Sequence, residues 1–132
     1  METERAAPSL TRLDAALWAL LVTQFVHGLT PADTSSEGWF GAVVGAILLV
    51  ATAVAIVGLR AGWPWAPRLA GVTGLVVALG FVAYHATPFR SPVSNPYVGE
   101  PVGAAAWISV ALAVAAGAWT AYESRVLARP AG

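Results

Sequence analysis

Long runs without a charged residue are the feature that most constrains this chain. Three such runs cover residues 39–59, 69–86 and 102–122. An α-helix needs about 20 mostly apolar residues to cross the hydrocarbon core of a bilayer, and each run is close to that length. Hydrophobic residues make up 58% of the chain and charged residues 11%, whereas charged residues are about 25% of an ordinary soluble domain. The pattern predicts membrane-spanning helices.

A fourth apolar segment, residues 13–30, precedes these runs and contains the polar residues Gln24 and His27. Because these two side chains interrupt the segment, we favour a helix that is retained in the mature protein. The alternative is a signal peptide that would remove residues 1–28, since basic residues precede the apolar stretch. The retained segment would be a fourth spanning helix.

The predicted fold is therefore an all-α integral membrane protein, an antiparallel bundle of four transmembrane helices in a single domain of 132 residues. Turns rich in proline, glycine and small polar residues separate the helices. The predicted helices and tails are helices 13–30, 39–59, 69–86 and 102–122, with short tails at 1–12 and 123–132.

The basic residues predict the orientation of this bundle. All of them are Arg, and two lie in each of the N-terminal tail, the turn 60–68 and the C-terminal tail. Arg90 is the basic residue of the loop 86–103. Because basic residues favour the cytoplasmic side, we expect both termini in the cytoplasm. The predicted location is the cytoplasmic (inner) membrane, as a multi-pass protein.

Small residues predict where the helices pack, because helices in lipid associate through close backbone approach. The fourth helix carries a continuous stripe of small residues, the third a shorter one, and the second a single G-x-x-x-G. Some of these spacings arise by chance, since Gly and Ala are abundant here. The glycines predicted to lie at helix contacts are Gly41, Gly45, Gly71, Gly74, Gly103 and Gly117.

The two histidines form the first candidate site. The stripe on the third helix places His85 on its packed side, and His27 shares a face of the first helix with Gln24. Both lie at a similar predicted depth, near the outer edge of the hydrocarbon. One interpretation is a pair of ligands to haem b, or a metal ion completed by Glu100 or Asp33. The alternative is that each neutral ring hydrogen-bonds the helix end that a following proline leaves open.

The outer loop 86–103 forms the second candidate site. Its four prolines limit the entropy that it loses on ordering. One interpretation is a binding surface on which Arg90 holds an anion, such as a lipid phosphate, or a quinone oxygen. The alternative, which we favour, is an ion pair that joins the two outer loops, between Arg90 and Asp33, Glu37 or Glu100.

Several classes of chemistry are excluded by composition. The chain has no Cys and its one Met is Met1, so thiolate nucleophiles, disulfides and thioether copper ligands are absent. We find no motif of a metalloprotease, serine hydrolase or phosphate-binding loop. A net charge of zero provides no bulk attraction to nucleic acid. Gln24 is therefore expected to hydrogen-bond between helices rather than to carry ions.

Three functions remain open from sequence. The first is a non-catalytic interaction or accessory component, whose partners are the bilayer and other membrane proteins or a second copy of the chain. The second is a redox component that binds haem or a metal ion through His27 and His85. The third is a protein that binds or transports a lipid or other hydrophobic molecule through the loop 86–103. No motif predicts an enzyme.

Overall fold

Four α-helices and no strand make up the part of the chain that the structure describes. The computed structural model describes residues 2–32, 38–91 and 93–128, and the fold is 78% helical. The helices are α1 Glu2–Leu29, α2 Trp39–Arg60, α3 Ala66–Phe81 and α4 Ala104–Ala128. A π-helical turn, Val82–Ala86, continues α3.

The helices extend beyond the predicted boundaries at both ends of the chain. α1 begins at Glu2, so residues predicted as an N-terminal tail are helical, and α4 continues past Tyr122 to Ala128. The sequence predicts these two boundaries beside Arg12 and Glu123, because charge marks the limit of a lipid-facing segment. Backbone hydrogen bonding has no such limit, since Glu and Arg are good helix formers. The predicted C-terminal tail from 129 onward lies outside the described residues.

Successive helices are antiparallel, so the bundle has a turn end, with residues 61–65, and a loop end, with residues 87–103. At the turn end Arg60 donates two hydrogen bonds of 3.0 Å to the carboxylate of Asp14. Ser124 donates to the carbonyl of Pro67 at 2.7 Å. These contacts join α2 to α1 and α4 to α3.

The apolar core follows the bundle axis in clusters that draw on all four helices. Toward the turn end, buried residues of α1 pack against residues of α2 and α3. Toward the loop end, α1 and α3 pack against α4. The members of these two clusters are Leu13, Leu17, Ala55, Ile56 and Ala70 in the first, and Leu20, Val77, Ala113 and Ala116 in the second.

The backbones of α3 and α4 make direct contact at Gly74 and Gly117. A Cβ atom on Gly74 would lie 2.6 Å from the carbonyl oxygen of Gly117, and a Cβ atom on Gly117 would lie 2.6 Å from the carbonyl oxygen of Gly74. No side chain fits in that space, so this contact requires glycine on both helices. Gly71 lies against the side chain of Ser124. Three of the glycines predicted to mediate packing therefore lie between α3 and α4.

The other glycines predicted at helix contacts have different surroundings. A Cβ atom on Gly45 or Gly103 would have no neighbour within 4 Å, and Gly41 lies against the ring of Tyr84. Gly103 is unpacked because it precedes α4. Gly45 lies in the N-terminal half of α2, which is the loosely packed half of that helix. The buried residues of α2 all lie in its C-terminal half: Thr52, Ala55, Ile56 and Gly58.

The distribution of polarity is the reverse of that in a soluble protein. Large apolar side chains are exposed on every helix, far beyond the patches that soluble monomers tolerate. Several polar side chains are buried instead: Gln24, Thr52, Thr73, Ser109 and Thr120. Among the described helices, three are long and apolar enough to cross a membrane: Trp39–Arg60, Ala66–Ala86 and Ala104–Ala128. α1 does not reach that hydropathy because of its polar residues.

Candidate functional site

A cleft of about 860 Å³ lies at the loop end, between the N-terminal half of α2 and the helices α1 and α3. The buried residues of α2 all lie in its C-terminal half, and the cleft lies beside the other half. Its walls are mainly apolar, and residues of the loop 87–103 close its upper side. Side chains and backbone that line it from the helices include Gln24, His27, Phe40, Gly41, Gly45, Leu48, Val76, Gly80, Phe81, Tyr84 and His85.

The loop folds back onto the end of α3 and holds the upper wall in place. The backbone N–H of Asn95 donates to the carbonyl of Tyr84 at 3.0 Å, and that of Tyr97 donates to the carbonyl of His85 at 2.8 Å. The last carbonyls of a helix have no partner within the helix, and here the loop provides one. Both carbonyls belong to the π-helical turn, a feature that recurs at functional sites. The sequence predicts an ordinary helix here, because hydropathy does not report hydrogen-bond register.

His85 is held in one tautomer by the same loop. Its Nδ1 lies 2.9 Å from the backbone carbonyl oxygen of Asn95. Because a carbonyl oxygen only accepts, Nδ1 carries the proton and Nε2 of the neutral ring is an acceptor. The ring is buried between Tyr84 and Tyr97, whose ring centroids lie 4.8 and 4.2 Å away.

His27 is held in the same tautomer by a different partner. Its Nδ1 lies 2.9 Å from Oγ of Ser109 on α4. The hydroxyl of Ser109 donates its proton to the carbonyl of Ala106 at 2.7 Å, so its oxygen accepts from His27. Nε2 of His27 is therefore an acceptor too. Among the described residues, neither Nε2 has a hydrogen-bond partner.

The structure brings the two histidine rings into contact. Their centroids lie 5.0 Å apart with an angle of 66° between the ring planes. Neither ring hydrogen-bonds its own helix end. The hydroxyls of Thr30 and Thr87, each directly before a proline, bond the last carbonyls of their helices at 2.7 and 2.8 Å. The alternative interpretation predicted that the histidines hydrogen-bond the helix ends, and the two threonines do so instead.

The contact between the rings bears on the predicted cofactors. Two axial ligands of one haem lie on opposite faces of the macrocycle, and rings in direct contact leave no space for that plane between them. A shared metal ion would need further ligands, because two imidazoles supply half of a tetrahedral set. Within residues 2–32, 38–91 and 93–128, no group of three or more His, Cys, Asp or Glu residues could hold a metal ion.

Gln24 lies one helical turn from His27 on the wall of the cleft. Its Nε2 donates to Oγ1 of Thr52 on α2 at 2.9 Å, which forms the predicted polar link between helices, and to the carbonyl of Leu20 at 3.3 Å. Thr52 donates its own proton to Leu48, so the amide must present its N–H side to Thr52. Oε1 of Gln24 is buried and has no partner among the described residues.

The charged residues of the loop are engaged with each other. Arg90 forms an ion pair with Glu100, so the pair lies within one loop rather than between two loops. Neither residue lines the cleft. The other carboxylates proposed as partners, Asp33 and Glu37, lie outside the described residues. The sequence allowed either an anion site or an ion pair at Arg90, and the structure shows an ion pair.

Sequence reasoning missed several residues that shape the site. Tyr84 and Asn95 gave no signal, because an aromatic residue near a helix end and an asparagine before a proline are both common. Ser109 and Thr52 gave a weak signal, as rare hydroxyls within apolar runs. The structure makes them the partners that orient His27 and Gln24.

The comparisons with known proteins assign no family to this chain. It matches no family model, and no curated protein and no solved structure is significantly similar to it. The chemistry of the cleft is therefore the basis on which its function is argued.

Proposed function

We propose that this protein is a multi-pass protein of the cytoplasmic membrane that binds a hydrophobic small molecule in the cleft between α2 and the helices α1 and α3. The observation that carries the proposal is the cleft itself, with a volume of about 860 Å³. Small-molecule sites typically enclose roughly 300–1,000 Å³, with apolar walls and a few polar groups that orient the ligand. This cleft has that composition, and its buried polar atoms are concentrated around the two histidines.

Four spanning helices are part of this proposal, including α1. The polar residues Gln24 and His27 that lower its mean hydropathy face the cleft. Its exposed face carries Val22, Phe25 and Leu29, which are suited to contact with acyl chains. A helix of this kind meets lipid with apolar side chains only, although its average composition is mixed. The positive-inside rule then assigns both termini to the cytoplasm.

The other two functions considered from sequence have less support. The contact between His27 and His85 disfavours a haem held between them, and a metal ion there would need ligands beyond these two rings. An interaction or accessory role stays a prediction, since no specific observation of the described residues favours a partner protein. Binding of a hydrophobic molecule is the function that the large cleft supports best.

The test fills the cleft without disturbing the fold. A Cβ atom on Gly45 would have no neighbour within 4 Å, so Gly45→Leu should fold and occupy the cleft. Gly103→Leu is the matched control, because Gly103 is equally unpacked and does not line the cleft. We expect native mass spectrometry to find a retained small molecule on the wild type and on Gly103→Leu, and little on Gly45→Leu. No retained molecule on any of the three, or equal retention on all three, would overturn the proposal.

A further inference from the structure

We propose that the ligand of the cleft has a hydroxyl head, as an alcohol or a phenol, which donates hydrogen bonds to a cluster of acceptors formed by His27, His85, Gln24 and Asn95. This inference rests on the proposed function and specifies the chemistry of the same site. It follows from the directions of the hydrogen bonds around the cleft, which leave acceptors without donors.

The two histidines provide the first pair of acceptors. Each Nδ1–H is donated to a neighbouring element, to the carbonyl of Asn95 in one case and to Ser109 in the other. Each Nε2 therefore presents a lone pair, and both rings line the cleft. Because the ring centroids are only 5.0 Å apart, one ligand head can reach both rings.

Two side-chain amides provide the second pair of acceptors. Oε1 of Gln24 and Oδ1 of Asn95 are buried and have no hydrogen-bond partner among the described residues, and both residues belong to the lining of the cleft. Gln24 carries more weight because Thr52 determines the orientation of its amide. A buried acceptor without a donor is costly, and a hydroxyl from the ligand would remove that cost.

The same cluster of acceptors disfavours ligands with other polar head groups. A ketone or a quinone oxygen only accepts, so it would meet lone pairs of the same polarity. A carboxylate or a phosphate would add a full negative charge beside them, in a cleft where the described lining residues include no Lys or Arg. The hydroxyl of Tyr84 can donate a hydrogen bond. The oxygen of an alcohol or phenol can accept this bond while its own proton is donated to the acceptor cluster.

The experiment compares two probes that differ only in the donor. The protein in lipid nanodiscs is titrated with 4-octylphenol and with its methyl ether, 4-octylanisole, and empty nanodiscs correct for partition into lipid. We expect the phenol to bind about tenfold more tightly, as is typical of a hydrogen bond to a buried partner. In Gln24→Leu and His27→Leu this preference should fall several-fold. The preference is the ratio of the two affinities in each variant, so a change in the apolar contacts, which both probes make, cancels.

The outcomes separate this inference from the proposed function. If neither probe binds in excess of the nanodisc control, the cleft does not bind such molecules and both proposals fail. If the two probes bind equally, the hydroxyl head is wrong and the hydrophobic site stands. If the preference for the phenol survives unchanged in both variants, the donor is recognised elsewhere and the acceptor cluster is overturned.

Discussion

At the scale of single residues, the site depends on which ring nitrogen carries the proton. Composition identifies His27 and His85 as the only imidazoles of the chain, but their chemistry depends on Ser109 and Asn95. The hydroxyl of Ser109 already donates its proton to Ala106, and the group of Asn95 is a backbone carbonyl. Each can therefore only accept from the neighbouring ring. Both rings therefore carry the proton on Nδ1, and Nε2 of each ring is an acceptor.

The tautomers can be measured by nitrogen NMR of histidine-labelled protein in micelles. We expect both rings of the wild type to be neutral with the proton on Nδ1. Ser109→Ala removes the acceptor from His27, so this ring should shift toward the other tautomer or a mixture. His85 serves as the internal control, because its partner is unchanged. A wild-type spectrum with the proton on Nε2 of either ring would contradict the assignment.

Tyr97 gives a prediction for pH dependence. The ring is 3% exposed, packed against the ring of Trp107. Burial raises the pKa of its hydroxyl above the usual 10.0, and the nearby Tyr84 raises it further. A raised pKa means that the fold disfavours the phenolate. The packing of this loop is therefore fully stable below a pH of about 10, the pKa of an unfolded Tyr, and loses stability as the pH rises above it.

Titration of phenolate absorbance checks this expectation for Tyr97. The ionisation of Tyr97 should lie in the late part of the wild-type titration, and Tyr97→Phe should lose the absorbance of one tyrosine from that part. If Tyr97→Phe instead lost one tyrosine from the early part of the titration, Tyr97 would ionise like an exposed residue and the loop would not be packed as described.

At the scale of single elements, one glycine ends α2 at the turn end of the bundle. Gly62 has a positive φ of 72°, and the N–H groups of Gly62 and Trp63 donate to the carbonyls of Leu59 and Gly58 at 3.2 and 2.8 Å. This pattern is the Schellman motif, which needs a left-handed residue after the helix. The ring of Trp63 then packs on Gly58, which closes the turn into α3.

Gly62→Ala should destabilise the protein by about 1–2 kcal/mol, because a Cβ atom is disfavoured in the left-handed region. Gly103→Ala is the control, since Gly103 has open space and no positive φ, and it should change stability by less than about 0.5 kcal/mol. Unfolding free energies in mixed micelles measure both. Equal effects of the two variants would refute the role of Gly62.

The α3–α4 contact gives a second prediction at this scale. Gly74→Ala places a Cβ atom against the carbonyl of Gly117, so the helices must separate, and we expect a loss of about 1–3 kcal/mol. Gly80→Ala, on the same helix, meets nothing within 4 Å and should be neutral or slightly stabilising. The same unfolding assay compares them. If Gly74→Ala were as stable as Gly80→Ala, the two backbones would not touch in the membrane.

At the scale of the whole molecule, the bundle is closed at one end and open at the other. The pair Arg60–Asp14 and the buried part of α2 hold the turn end together. At the loop end the N-terminal half of α2 has no buried residue, and the loop covers the upper side of the cleft without enclosing the whole of it. The cleft therefore forms where α2 is least packed, which a regular bundle would not provide.

The orientation of this molecule in the membrane is directly testable, because the chain has no Cys. Single cysteines are introduced as Val98→Cys in the loop and Ala61→Cys in the turn, both at exposed positions. On intact cells a membrane-impermeant maleimide should label Val98→Cys alone, and Ala61→Cys should react only after the membrane is opened. The unsubstituted protein measures background. Labelling of Ala61→Cys from outside would reverse the proposed topology.

Much of the architecture was predictable from sequence, because hydropathy and breaker residues act locally. Three uncharged runs and the apolar segment 13–30 predict the four helices. The extra length of α1 and α4 is not predicted, because a charged residue limits a lipid-facing segment but does not end a helix. The glycines at the α3–α4 contact followed from small-residue spacing. Gly45 has the same kind of spacing, but a Cβ atom on it would have no neighbour within 4 Å, so its predicted helix contact is absent.

The sequence by itself determined that the chain is helical, that three of its helices are apolar enough for a membrane, and that it has two imidazoles and no thiol. Only the tertiary structure decided that a cleft forms beside the N-terminal half of α2, that the ring of His27 contacts that of His85, and which described atoms around them lack partners. The physical reason is the separation along the chain over which each property acts. Hydropathy and helix propensity are properties of neighbouring residues, whereas a cleft and the direction of a hydrogen bond depend on groups far apart in the chain.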